Sequence, residues 1–184
     1  RRPLISILLP TYNTNPVYLR SCIDSVLSQS YDNWELCISD DNSTSDQTKS
    51  VINEYVEKYN NIKATFRKEN GHISKSSNTA LSMAKGDYIS LLDHDDILPP
   101  NALFEVVDVI NKNPDVDLIY TDEDKIDSDG IHIEPFFKPD WSPDFMNSCN
   151  MVTHFATIKA GMIRSVNGFT VGTHGAQDWD LFLK

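Results

Sequence analysis

SLLDHDDILPP, Ser90–Pro100, is the stretch on which the reading of this chain turns. An apolar run ends in three carboxylates set around one histidine, and two prolines then stop it. With Tyr88 and Ile89 in front, YISLLD (Tyr88–Asp93) has the near-continuous apolar character of a strand covered on both faces, and the acids fall at its carboxyl end. Three similar strand signals precede it: LISILLP (Leu4–Pro10), WELCIS (Trp34–Ser39) and IKATF (Ile62–Phe66).

Helix signals lie between them. Asn15-Pro16 supplies an N-cap and a first-turn proline ahead of Leu19, Cys22, Ile23, Val26 and Leu27, which share one helical face. Thr44 with Gln47 reads as a capping box for a second helix with the stripe Ile52, Tyr55, Val56 and Tyr59. A third helix is expected over Ser74–Lys85, and a fourth carries Leu103, Val106, Val107 and Ile110 before a fifth strand, DLIYTD (Asp117–Asp122). Alternation at this spacing implies right-handed crossovers and a Rossmann-like α/β fold: a mostly parallel sheet with helices on both faces. After Asp122 the pattern loosens. IHIEPFFKPDWSPDF (131–145) is rich in Pro and aromatics, MVTHFATIK (151–159) reads as a strand, and helices are expected near Gly161 and after Ala176, giving a smaller mixed region.

The 184 residues, 40% hydrophobic and 23% charged, suit a single domain with a sizeable core. A net charge of −11 argues against a general grip on nucleic acid or anionic lipid. Cys22, Cys37 and Cys149 are odd in number and lack CxxC spacing, which fits a reducing, cytoplasmic setting. No apolar run approaches the roughly 20 residues of a membrane span. With no initiator Met and a helix-like segment running to Lys184, the chain reads as a piece of something larger.

The polar clusters fall at strand ends: PTYN (10–13), SDDNS (39–43), ENGHISKSSN (69–78) and DHDD (93–96). Ligands of open parallel sheets bind there, although Asp, Asn and Ser are also ordinary caps and turn formers. Neither GxGxxG nor a Walker loop is present, so a bound diphosphate needs another counter-charge. Mg²⁺ or Mn²⁺ on Asp93 and Asp95 would supply it; in an extended segment these two point the same way and His94 points elsewhere. The competing reading is a solvated acidic turn, with Asp96 leading the helix after Pro99-Pro100.

These pieces together resemble family 2 glycosyltransferases of the GT-A fold: ISILLPTYN, LRSCIDSVLSQSYDNWELCISDDNS, NGHISKSSNTALSMAKGDYISLLDHDD and GFTVGTHGAQDWDLFLK, in family order over essentially the whole chain. YTDEDKID, FFKPDWSPD and GAQDWDL further resemble the bacterial branch that builds surface polysaccharides. The resemblance implies one GT-A domain over 1–184, with a nucleotide-binding half to about residue 96 and an acceptor-side half from 97. It implies that Pro10, Thr11 and Tyr12 line a base pocket, that Asp41 bonds the base with Asp40 close by, and that Gly71 and Asn78 sit near the nucleotide. DHD matches the DXD motif, so Asp93 would meet ribose or metal and Asp95 would ligate Mn²⁺ or Mg²⁺.

Asp178 stands at the position of the catalytic base; Gln177 precedes it where the family usually has Glu. By its own setting Asp178 is equally a first-turn acid of the helix QDWDLFLK. The implied reaction moves a sugar, with inversion, from a nucleotide-diphosphate donor to a saccharide or lipid-linked hydroxyl. It would take place in the cytoplasm, at the inner membrane face if segments outside 1–184 provide the contact. Two other readings remain open: an aspartyl-phosphate-type phosphatase built on Asp93, and a donor-binding module without transfer activity. His72, His154 and His174 read as structural, Asp122, Glu123 and Asp124 as a solvated turn, and Trp141 and Phe145 either as an acceptor platform or as packing under a Pro-rich loop.

Overall fold

The computed structural model describes all residues, 1–184. The first half alternates: β1 (Ile5–Thr11), α1 (Pro16–Leu27), β2 (Trp34–Asp40), α2 (Asp46–Lys58), β3 (Ile62–Phe66), α3 (His72–Met83), β4 (Tyr88–Leu91) and α4 (Ala102–Lys112). Then come β5 (Leu118–Ile119), β6 (Glu123–Ile126), β7 (His132–Phe136), α5 (Pro143–Ser148), β8 (Ala156–Lys159), α6 (Ala160–Ser165) and α7 (Gln177–Phe182). One six-stranded sheet in the order β3-β2-β1-β4-β8-β5 crosses the molecule, and β6 and β7 form a separate two-stranded ribbon. The first four strands of that order run parallel, and β8 lies antiparallel to both β4 and β5.

The alternation of side chains along a strand divides the core. Ile5, Ile7 and Leu9 of β1 join Leu36 and Ile38 of β2 in a cluster with Leu19, Ile23, Ile52, Leu103 and Ile110 from α1, α2 and α4. Leu8, Cys37 and Ile89 face the other way, onto Ala80, Ala84 and Ile163. On that second face α3 presents small residues. Ser74, Ser76 and Ser77 are buried, and the Ser76 hydroxyl donates to the Ser39 carbonyl at 2.9 Å, so the helix lies close on β2.

At the amino ends of the strands, Glu35 is buried and accepts from the Ser6 hydroxyl at 2.6 Å and the Lys85 N–H at 2.5 Å, and it pairs with Lys63. Burial alone would raise its carboxyl, but the bonds from Lys63, Ser6 and Lys85 hold it below the ordinary value. Gly86 turns the chain into β4 so tightly that a Cβ there would stand 2.6 Å from the Leu4 carbonyl oxygen.

Several expectations shift. The cap of α2 is Ser45, whose hydroxyl accepts from Thr48 N, in place of the expected Thr44. Thr44 is taken by Asn13, whose side-chain oxygen accepts from the N–H groups of Thr44 at 2.8 Å and Ser45 at 3.0 Å. The third helix begins at His72 and ends at Met83, two residues ahead of expectation at each end. The fifth strand shrinks to two residues, and of 151–159 only Ala156–Lys159 is strand. Glu123 and Asp124 lie on β6; Trp141 stands ahead of α5 and Phe145 on it, both exposed, while the helix buries Met146.

Candidate active site

The carboxyl ends of β1, β2 and β4 open on one crevice. Beyond β4, Asp93–Asp96 form a turn in which the Asp96 N–H donates to the Asp93 carbonyl at 3.2 Å, and the Cys22 thiol of α1 donates to that same carbonyl at 3.4 Å. The turn replaces the extended segment the sequence suggested. It sets Asp93 and Asp96 on one side and leaves Asp95 turned toward His94, 3.6 Å away, with 59% of its side chain exposed.

Into the gap between Asp93 and Asp96 comes His154. Its Nδ1 lies 3.3 Å from Asp96 Oδ2 and 3.8 Å from Asp93 Oδ2, and the donor atoms of the three residues all fall within 4.8 Å of one another. Both carboxylates keep a little under half of their side chains open, but the concave site hydrates them poorly. Burial raises Asp93 from its ordinary value against the pull of His154, and pushes Asp96 up to about 6, again against His154 and with Asp93 and Asp95 adding to the rise. Two carboxylates and an imidazole at this spacing, short of positive charge, fit a hard divalent cation such as Mn²⁺ or Mg²⁺.

His154 is held in place by a buried clamp. Lys138, its side chain 1% exposed, donates to the Val152 carbonyl at 2.6 Å and to the His154 carbonyl, and pairs with Glu123 at 2.9 Å. Glu123 also accepts from the Thr153 hydroxyl at 2.9 Å and the His154 N–H at 3.2 Å. Burial would raise Glu123, yet these bonds hold it below the ordinary carboxylate value. The expected solvated turn is thus the support of the 152–154 loop, and this buried lysine was not foreseen.

Asp178, in the first turn of α7, accepts a hydrogen bond from the Asn150 amide at 2.7 Å. It lines the same narrow pocket as Leu8, Pro10, Ser77, Asp93 and His154. Gln177 lines it too, with its side-chain oxygen buried and unpartnered. A wider hollow of about 430 Å³ at Arg2, Tyr31, Phe104 and Asn111 lies at the amino-terminal side of the sheet, away from these groups.

The other residues singled out in the sequence divide into two sets. Tyr12 is 47% exposed and free to stack on a ligand, whereas Thr11 is buried. Asp41 is buried; its carboxylate accepts from Arg67 Nε at 2.7 Å and from the Gly71 N–H at 3.0 Å, which ties the end of β2 to the start of α3. Asp40 is also buried, and its oxygens are taken by the N–H and hydroxyl of Ser43 within its own turn. Asn78 spends both halves of its amide on the Phe169 backbone, donating at 2.8 Å and accepting at 2.9 Å. At the rim, His72 and His174 pack on each other with ring centroids 4.4 Å apart.

The chain aligns with known proteins over nearly its whole length. The family model described as Glycosyl transferase family 2 matches residues 6–166. An O-antigen biosynthesis protein, RfbC, of Myxococcus xanthus is 37% identical over 184 residues, all of this chain and 14% of that protein. S. aureus TarS 1–349 in complex with UDP superposes with a TM-score of 0.79 at 21% identity, over 96% of this chain and 53% of that one. A mannosyltransferase from Pyrobaculum calidifontis, in complex with GDP-Man and Mn²⁺, gives 0.73 at 21% identity, over 98% of this chain and 51% of that one. The chain therefore spans a seventh of the length of the O-antigen protein and about half of each solved chain. With a family match over most of its residues and the GT-A arrangement of its sheet, the chain belongs to glycosyl transferase family 2.

Proposed function

We propose that this domain moves a sugar, with inversion at the anomeric carbon, from a nucleotide-diphosphate donor to a hydroxyl of a saccharide or lipid-linked acceptor during surface-polysaccharide synthesis. The observation that carries it is the shared pocket: Asp93 and His154, which form an acidic cluster with Asp96, line one narrow space with Asp178 at the strand ends. The UDP complex of TarS and the GDP-Man and Mn²⁺ complex of the mannosyltransferase support a nucleotide-sugar donor and a divalent cation.

Tyr12 offers a face for the base beside Pro10, while Asp41, oriented by Arg67 and Gly71, offers acceptor oxygens to its N–H groups. Thr11, Asp40 and Asn78 act through the walls of the crevice. Asp93, Asp96 and His154 would hold Mn²⁺ or Mg²⁺. When bound, that cation supplies positive charge against the departing diphosphate. Asp178 takes the proton of the acceptor hydroxyl as its oxygen bonds to the anomeric carbon and the bond to the diphosphate breaks. One base and no second nucleophile make this a single displacement, and a single displacement inverts.

Residues to about 96 form the donor side and residues from 97 the acceptor side of one domain. No helix is long and apolar enough to cross a membrane, and we place the reaction in the cytoplasm, at the inner membrane face where the acceptor is lipid-linked. Calorimetric titration with UDP and with GDP, each with and without Mn²⁺, tests the reading. Micromolar binding of one nucleotide that depends on Mn²⁺ is expected; binding of neither, in either condition, overturns it.

A further inference from the structure

Asp178 has a single protein partner for its carboxylate, the amide of Asn150, which donates from Nδ2 to Oδ2 at 2.7 Å. Asn150 sits in the loop between α5 and β8, and its own side-chain oxygen accepts from the Thr153 N–H at 3.4 Å. That second bond fixes which way the amide faces. Rotated by half a turn, it would set oxygen against a carboxylate and NH₂ against an N–H. The two sides of the contact are also braced, because the Trp179 indole of α7 donates to the Met146 carbonyl of α5 at 2.8 Å.

We propose that Asn150 is the positioning residue of this active site: it holds Oδ2 of Asp178 and leaves Oδ1 of that carboxylate unpartnered to take the proton of the attacking hydroxyl. The inference rests on the reading of Asp178 as the base. A short carboxylate on a first helical turn can otherwise swing between rotamers, and a displacement of about 1 Å at a base can cost on the order of 10²-fold in rate. Through Thr153 the same amide also meets the loop that carries His154, which the Lys138–Glu123 clamp holds.

The test compares Asn150→Ala, Asn150→Asp and Asp178→Asn in the full chain, with UDP-GlcNAc and GDP-mannose as donors, Mn²⁺ present and release of nucleoside diphosphate as readout. Asn150→Ala is expected to lower kcat by about 10²-fold with KM for the donor and the UDP affinity unchanged. Asn150→Asp, which preserves shape, is expected to move the acidic limb of the pH–rate profile to higher pH, because a like charge beside Asp178 favours its protonated form. Melting curves identify a variant that has lost its fold. Unchanged kcat in Asn150→Ala, or an equal loss of UDP affinity, overturns the inference. If Asp178→Asn is inactive while both Asn150 variants match the native protein, the positioning role alone fails; if Asp178→Asn is fully active, the base assignment fails with it.

Discussion

His154 completes the acidic cluster, since without it Asp93 and Asp96 would be two like charges with nothing between them. Asp93→Asn and Asp96→Asn should each weaken Mn²⁺-assisted UDP binding by at least about tenfold, while each variant melts at or above the native temperature because a repulsive charge is gone. Protons compete for the same oxygens. With Asp96 pushed up to about 6, apparent Mn²⁺ affinity should fall as pH is lowered through that value, which calorimetry over a pH series measures directly. Asp178→Asn should remove at least about 10³-fold of the transfer rate and leave UDP binding intact, checked by single-turnover kinetics beside the titration. Of these residues, the sequence pointed to Asp93 and Asp178; the metal ligand it singled out, Asp95, turns toward His94 instead. Asp96 and His154 escaped it because pairing them takes a turn in place of an extended segment and a chain-distant loop that leads into β8. Neither leaves a mark in local periodicity.

Elements with strong periodicity were legible, and those built on exposed or borrowed contacts were not. β1, β2, α1 and α4 follow their apolar patterns because the helices each bury a stripe against the larger core cluster and the two strands bury one face in each cluster. The β6–β7 ribbon has no such core: its residues are mostly exposed, so no alternation announces it. Its anchor, Lys138, bonds two backbone carbonyls, partners that any residue carries. The cap of α2 was misplaced by one residue for a related reason, since Thr44 and Ser45 are equal as caps until Asn13 claims the N–H of both. Glu123→Ala would leave the ammonium of Lys138 buried without a counter-ion. It should cost about 2 kcal/mol, below the usual range for a fully buried pair because Glu123 keeps part of its surface in water. Scanning calorimetry should show the loss, and hydrogen exchange should place it at residues 152–154. If the exchange rates of that loop do not change, the clamp does not hold it.

Across the whole molecule, the two ends of the sheet have different duties. The amino ends carry Glu35, Ser6, Lys63 and the Gly86 turn, all concerned with joining strands. Because the folded Glu35 carboxyl lies below its unfolded value, the stability it supplies is full above a pH of about 4.3 and is lost as pH falls below that. Urea melts of the native protein and Glu35→Gln should therefore converge in acid and separate near neutrality. Gly86→Ala should cost about 1–3 kcal/mol at this end with no change in UDP affinity, since its added carbon meets the backbone of Leu4 far from the strand carboxyl ends. The parallel half was readable as a Rossmann-like sheet, but the insertion of an antiparallel β8 between β4 and β5 was not, because sheet order is decided by chain-distant pairing. That insertion sets a sequence of assembly. β5 pairs only with β8, and β8 must cross a long stretch of chain to reach β4, an entropic toll that the locally connected β1–β4 framework escapes. During refolding the nucleotide walls should mature first and the segment bearing Asn150 and His154 should dock last. A half-refolded population would then have Tyr12 and Asp41 in place but lack the imidazole of the acidic cluster, so Mn²⁺-dependent UDP binding and turnover should return together, after the parallel sheet has formed.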